Sequence, residues 1–190
     1  MSSKNTKKNI KNEEPDRNAR LQYENEDDRA YGLAGMGIAL AAMDALNWVA
    51  ELNLDADGPM VSFSHAFYFS NSPSVSPKAV WHRSVQNFKV TSMMVMANVM
   101  SRYYVRLSQQ VPPEVLGYVR DTMTEEGAES CSLEADEVGQ LFNITMRDCH
   151  RIFSNPRLTP RVTEFAGTLG RLRRMSALEV ADELHRLQLS

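Results

Sequence analysis

Residues 136–153 read DEVGQLFNITMRDCHRIF. Val138 and Leu141 lie three apart and turn one face inward, and Gly139 between them leaves room for a neighbouring backbone. Asn143 sits where the chain must turn, and asparagine tolerates the left-handed conformation better than most residues. Thr145 then caps a second helix, with Asp148 three residues on as a shortened capping-box acid. Upstream, Ser132 caps the first helix, and Glu134, Asp136 and Glu137 suit its positive end. Ile144, Cys149, Ile152 and Phe153 face inward in this reading. Met146, Arg147, His150 and Arg151 face outward, and Asn155-Pro156 closes the unit. The spacing thus predicts two short helices joined by a tight turn over 132–154.

The charge changes sign inside this stretch. From Asp121 to Glu137 there are seven acids and no Lys or Arg, whereas Val138 to Arg174 holds seven arginines and two acids. A basic site is therefore available on a chain whose formal net charge is −3.

Working outward, helix signals dominate. Asn25 or Asp27 caps a segment, about 26–54, that opens on Glu26, Asp27 and Asp28. Its small residues Gly32, Gly35, Gly37, Ala39, Ala41 and Ala42 allow a close helix neighbour. The glycines of GLAGMG stand in the wrong order for a dinucleotide fingerprint and follow no strand. Pro77, with Ser76 as cap, starts a second long helix running to about Gln110, where Pro112 and Pro113 break it. Met93, Met94, Met96 and Met100 widen its apolar surface, and its charges, from Lys78 to Arg106, are all basic. The two long segments can pack antiparallel and share charge.

Between them, Val61, Phe63, His65, Phe67 and Phe69 alternate as on one strand face, as a hairpin arm or an extended aromatic loop. Further helices are expected at 113–127, from Thr159-Pro160, and from the capping box Ser176 to Glu179. The fold class is all-α: a long-helix hairpin plus a C-terminal cluster of shorter helices. Residues 1–18 read as a lysine-bearing flexible tail, 19–110 as the scaffold and 111–190 as a helical region containing the 132–154 unit.

Composition bounds the function. The 190 residues are 43% hydrophobic and 24% charged, as in soluble globular proteins. The longest apolar-leaning run, Ala30 to Met43, has 14 residues, too few to span a bilayer, and residues 1–12 have no apolar core of a secretory signal. No membrane partner and a cytoplasmic location are the expectations. Cys131 and Cys149 do not make a zinc-ligand pattern with His65, His82, His150 and His185. Asn53, Asp55, Asp57 and Gly58 imitate half of a calcium loop, but Ser64 stands where the bidentate acid belongs. No nucleophile has a base and an orienting group, so neither enzyme activity nor a cofactor is expected.

The run E-V-G-Q-L-F-N-I-T, followed six residues after Thr145 by Arg151, resembles the helix-turn-helix of bacterial transcription factors and sigma-type regulators. The resemblance covers about residues 132–154. It implies a second helix in the major groove of duplex DNA, with Met146, Arg147 and His150 toward the bases and Arg151 toward base or phosphate. Arginine is the strongest of these readers, because its fork matches guanine O6 and N7. Arg157 and Arg161 extend the candidate surface downstream. The alternative is a non-enzymatic helical protein-interaction or structural protein that does not bind DNA. A homodimer is expected in either case, since the small-residue face and the methionine cluster offer more apolar surface than one chain is expected to bury.

Overall fold

The computed structural model describes residues 21–69 and 76–189. The lysine-bearing tail expected at 1–18 lies outside the described residues. Seven α-helices and a three-stranded sheet form the described chain: α1 (Glu26–Ala42), β1 (Val49–Asn53), β2 (Val61–Phe63), α2 (His65–Tyr68), α3 (Pro77–Met100), α4 (Pro113–Cys131), α5 (Ala135–Phe153), α6 (Thr159–Leu172), β3 (Arg174–Ser176) and α7 (Ala177–Arg186). The structure is mainly helical, in line with the all-α expectation, and adds to it one small sheet of three short strands.

α1 is the hub. Its cap is Asn25, whose side chain accepts from the Asp28 N–H at 2.9 Å. Its small residues let α3 come close: a Cβ on Gly35 would lie 2.4 Å from the Ala97 carbonyl oxygen, and one on Gly32 would lie 2.7 Å from the Asn98 side chain. On the other side Gly37 faces Leu52 and Phe165, so β1 and α6 close over the same helix. The pairs Asp28 with Arg102 and Gly35 with Ala97 run in opposite chain directions, which makes α1 and α3 antiparallel.

The first helix stops earlier than its apolar spacing suggests. Asp44 takes a left-handed φ of 55°, the Ala45 N–H returns to the Leu40 carbonyl at 2.8 Å, and the Asp44 N–H returns to Ala41 at 3.0 Å. This Schellman reversal is followed by one 3₁₀ turn and then β1. A bulge between Val49 and Glu51 shifts the register, so Val49 and Leu52 are both buried although they are three apart. Their helix-like spacing is a product of that extra residue. β1 is the central strand, antiparallel to both neighbours in the order β2-β1-β3, with Leu52 opposite Val61 on one side and Met175 on the other.

The aromatic run is neither a long strand nor an extended loop. Strand pairing ends at Phe63, and a single helical turn folds Phe67 back onto the Phe63 ring at a centroid distance of 3.9 Å.

α3 runs on past Met100 as a π-helical segment, Ser101–Arg106, where the Leu107 N–H reaches the Arg102 carbonyl. Met93, Met94, Met96 and Met100 are each at most 8% exposed within one chain, so their surface needs no second subunit to cover it.

The largest correction concerns 132–154. α5 is one continuous helix through Asn143. Val138, Phe142, Thr145, Cys149 and Phe153 form a single buried stripe at spacings of four and three. Thr145 belongs to that stripe and caps nothing. The chain instead reverses upstream, where Ser132 is left-handed (φ 52°) at the end of α4 and Glu134 with Glu137 forms the capping box of α5. Gly127 on α4 is the residue that admits a neighbour: a Cβ there would lie 2.7 Å from Val138 and 3.0 Å from Phe88. Gly139, expected to give that room, has nothing within 4 Å of its Cβ position.

Candidate functional site

The six residues of the candidate DNA surface divide. Arg147, His150 and Arg151 are exposed on the outer face of α5. They lie in the C-terminal half of a 19-residue helix, not at the N-terminus of a separate one. Arg147 contacts Asp148 at 3.3 Å, and the His150 ring meets Tyr104 edge-on at 5.3 Å. Met146 is half-buried and packs on the core, because its position borders the buried stripe. Arg157 is exposed in the turn after α5. Arg161 is turned aside, donating to the Gln188 carbonyl at 3.1 Å and to its Oε1 at 2.9 Å. The further arginines do not all join them: Arg173 pairs with Glu26 and Asp55, and Arg186 with Glu164 and Glu183.

A different set of polar residues converges where α1 meets the end of α3. Arg102 is buried and holds Asp28 in a fork, while Arg106 reaches Glu24, Asp27 and Asp28 at 3.0–3.2 Å. Arg102 also donates to the carbonyls of Leu21 at 3.2 Å and Gln22 at 2.8 Å. Its guanidinium lies 4.7 Å from the Tyr23 ring centroid, and the Tyr23 hydroxyl accepts from Asn98 Nδ2 at 2.7 Å. Burial raises the Tyr23 phenol above its ordinary range, so it stays protonated. Burial by itself would also raise Asp28. The Arg102 hydrogen bonds, the Glu24 N–H and the charges of Arg102 and Arg106 outweigh it and hold the carboxyl low.

Beside this cluster a cleft of about 560 Å³ opens between α1, α3, α2 and the β1–β2 hairpin. That volume falls within the range of small-molecule sites, and most of its walls are apolar: Met36, Phe63, Tyr68, Met94, Val95 and Val99 among them. Tyr23, Asn98 and Arg29 are its polar members at the cluster end. Arg29 donates through Nη2 to the Ala56 carbonyl and through Nε to the Met60 sulfur at 3.1 Å, with the Tyr23 ring 5.9 Å away. Among the described residues it has no carboxylate within salt-bridge distance. A second, more open hollow of about 780 Å³ shares Leu21, Tyr23 and Arg29 with it and is bordered by the paired charges Glu26, Asp55 and Arg173.

The residues read from 132–154 did not point to this cleft. The signal that did exist was the acid-rich start of α1 set against the acid-free stretch from Lys78 to Arg106, whose ends now pair. Arg29 carried no signal of its own, since its surroundings come from the 56–60 turn. Among the described residues no group of three or more His, Cys, Asp or Glu is placed to hold a metal ion, and no helix is long and apolar enough to cross a membrane. No family model, no curated protein and no solved structure matches the chain.

Proposed function

We propose that the chain is a non-enzymatic helical binding protein whose working surface is the cleft between α1, α3 and the β1–β2 hairpin. The observation that carries this reading is the cleft itself: an apolar volume of about 560 Å³ bordered by a half-buried arginine without a carboxylate partner among the described residues. Burying an apolar group there releases roughly 25 cal/mol for each Å² withdrawn from water, and the arginine supplies direction. α5 runs uninterrupted through Asn143, where the reading of 132–154 expected a turn, and this favours the cleft over a base-reading second helix. The test is titration with an environment-sensitive apolar dye, comparing wild type with a Val95→Phe variant that fills the cleft. The dye is expected to bind wild type and to lose most of its enhancement in the variant. Equal enhancement in both would overturn the reading.

A second reading is favoured by the exposed face of α5, where Arg147, His150 and Arg151 stand together with Arg157 beyond them. Such a face could lie along duplex DNA through phosphate contacts without reading bases. Each phosphate contact makes the logarithmic salt slope steeper by about one. Titration of duplex DNA at two salt concentrations decides it: retention at low salt that weakens in Arg147→Ala and Arg151→Ala supports the reading, and no binding at low salt removes it. A homo-oligomer is carried by exposed Tyr68, Phe69, Val80 and Trp81, and light scattering tests it.

A further inference from the structure

We infer that the cleft takes a small amphiphile with an anionic head, in the class of medium-chain or aryl monocarboxylates. This rests on the cleft being the binding surface and adds the chemistry of its ligand. The cleft has a direction. Asn98 is tied to Tyr23 at 2.7 Å, which places the Tyr23, Asn98 and Arg29 end late on α3. Asn87 Nδ2 donates to the Phe67 carbonyl at 2.9 Å, which places α2, and with it Tyr68, early on α3. Thr91, Val95 and Asn98 therefore mark a floor of about 10 Å along the helix, at ~1.5 Å per residue, with Tyr23, Asn98 and Arg29 at one end and, at the other, Tyr68 and Thr91, whose hydroxyl is spent on the Phe88 carbonyl at 3.1 Å.

The sign of the head follows from Arg29. Its Nε and Nη2 are engaged by neutral acceptors, a thioether and a carbonyl, and Nη1 has no acceptor among the described residues. The neighbouring Arg173 is neutralised by Glu26 and Asp55, and Arg102 and Arg106 by Asp28, Asp27 and Glu24. Among the described residues, Arg29 is thus the cation lining the cleft whose charge no carboxylate meets, and that charge is what an anionic head would answer. Asp57, the carboxylate among the lining residues, is exposed on the hairpin turn and outside salt-bridge distance of Arg29. A carboxylate accepts from a guanidinium with charge-assisted bonds, and the Tyr23 hydroxyl keeps a proton to donate. The methionine-bearing walls adapt to an alkyl or an aryl tail.

The experiment is isothermal titration of the full chain with decanoate, decanol and decyltrimethylammonium, below their aggregation limits. Decanoate is expected to bind about 10-fold or more tightly than decanol, the loss of one charge-assisted contact, and the cation weakest. Arg29→Gln is expected to bring decanoate down to the level of decanol, and Arg29→Lys to restore part of the preference. Val95→Phe should weaken both. Circular dichroism and a thermal melt verify that each variant is folded, and wild-type head-group selectivity reads the proposal without any variant. Equal affinity for decanoate and decanol in wild type overturns the anionic head while leaving the cleft as a binding surface. No binding of any of the three, with the apolar dye still displaced by none, overturns the ligand class. Failure of the dye itself to sense Val95→Phe overturns the cleft.

Discussion

The Arg102 guanidinium holds the Asp28 carboxylate in a two-point fork, Nε to Oδ1 at 2.9 Å and Nη2 to Oδ2 at 2.6 Å, with the residues 5% and 1% exposed. Removing one partner of such a pair strands the other without water. Asp28→Asn is therefore expected to destabilise the fold by ~3–5 kcal/mol, read as a loss of midpoint in urea melts. An effect below about 1 kcal/mol would mean that the pair is solvated in the protein.

The same carboxyl sets a pH dependence. Burial raises it, but the hydrogen bonds from Arg102 and Glu24 and the charges of Arg102 and Arg106 win, so Asp28 titrates lower folded than unfolded. Its contribution is complete above the ordinary value of 3.8 and is lost as pH falls through the folded value. Stability should drop with acid below about pH 4, because the unfolded chain takes up the proton first. In Asp28→Asn the slope of unfolding free energy against pH should be shallower in that window. An unchanged slope would contradict the assignment.

Two glycines separate helix packing from helix propensity. Gly127→Leu places carbon where Val138 and Phe88 already sit, 2.7 and 3.0 Å from the first added atom, and overpacking of this kind costs ~1–3 kcal/mol or more. Gly139→Ala meets nothing within 4 Å in the middle of α5 and is expected to stabilise by about 0.5–1 kcal/mol. Denaturant melts of the two variants should move in opposite directions. A destabilising Gly139→Ala would indicate that a neighbouring element packs against Gly139 after all.

Neither cysteine should react in the native protein. The Cys149 thiol is fully buried against Met93, and burial together with Asp148 pushes it up to about 12. Burial also raises Cys131, which is 2% exposed. The thiolate is the reactive form. Incubation with a disulfide reagent at pH 8 is expected to leave both thiols unmodified, with two equivalents titrating after unfolding in denaturant. Fast modification of either thiol without denaturant would show that α5 or the end of α4 opens readily.

Punctuation was the most legible part of the sequence. Asn25, Pro77, Pro113 and the Ser176 to Glu179 box all mark helix starts found in the structure, since caps and prolines act within a few residues of themselves. What failed was spacing read without its partner. Val49 and Leu52 imitate a helix face because of a bulge that only pairing with β2 creates. Asn143 resembled a turn because an exposed asparagine mid-helix and one at a corner look alike; the unbroken 138-142-145-149-153 stripe was the stronger signal. The cleft was not legible at all, because Arg29, Asn98 and Met60 meet only after α1, α3 and the hairpin have docked.

β1 lies between β2 and β3, and Glu51, Leu52 and Asn53 find their partners at Ser176, Met175 and Arg174. A chain emerging N-terminus first completes the hairpin with β2 early but carries the other side of β1 as an open edge until residues 174–176 arrive. Unpaired edges invite pairing with other chains, and long separations between partners slow closure. The period of synthesis between these two segments is thus the interval in which this protein is most exposed to aggregation, and α7, whose capping box begins at Ser176, is the element that locks the late strand in place.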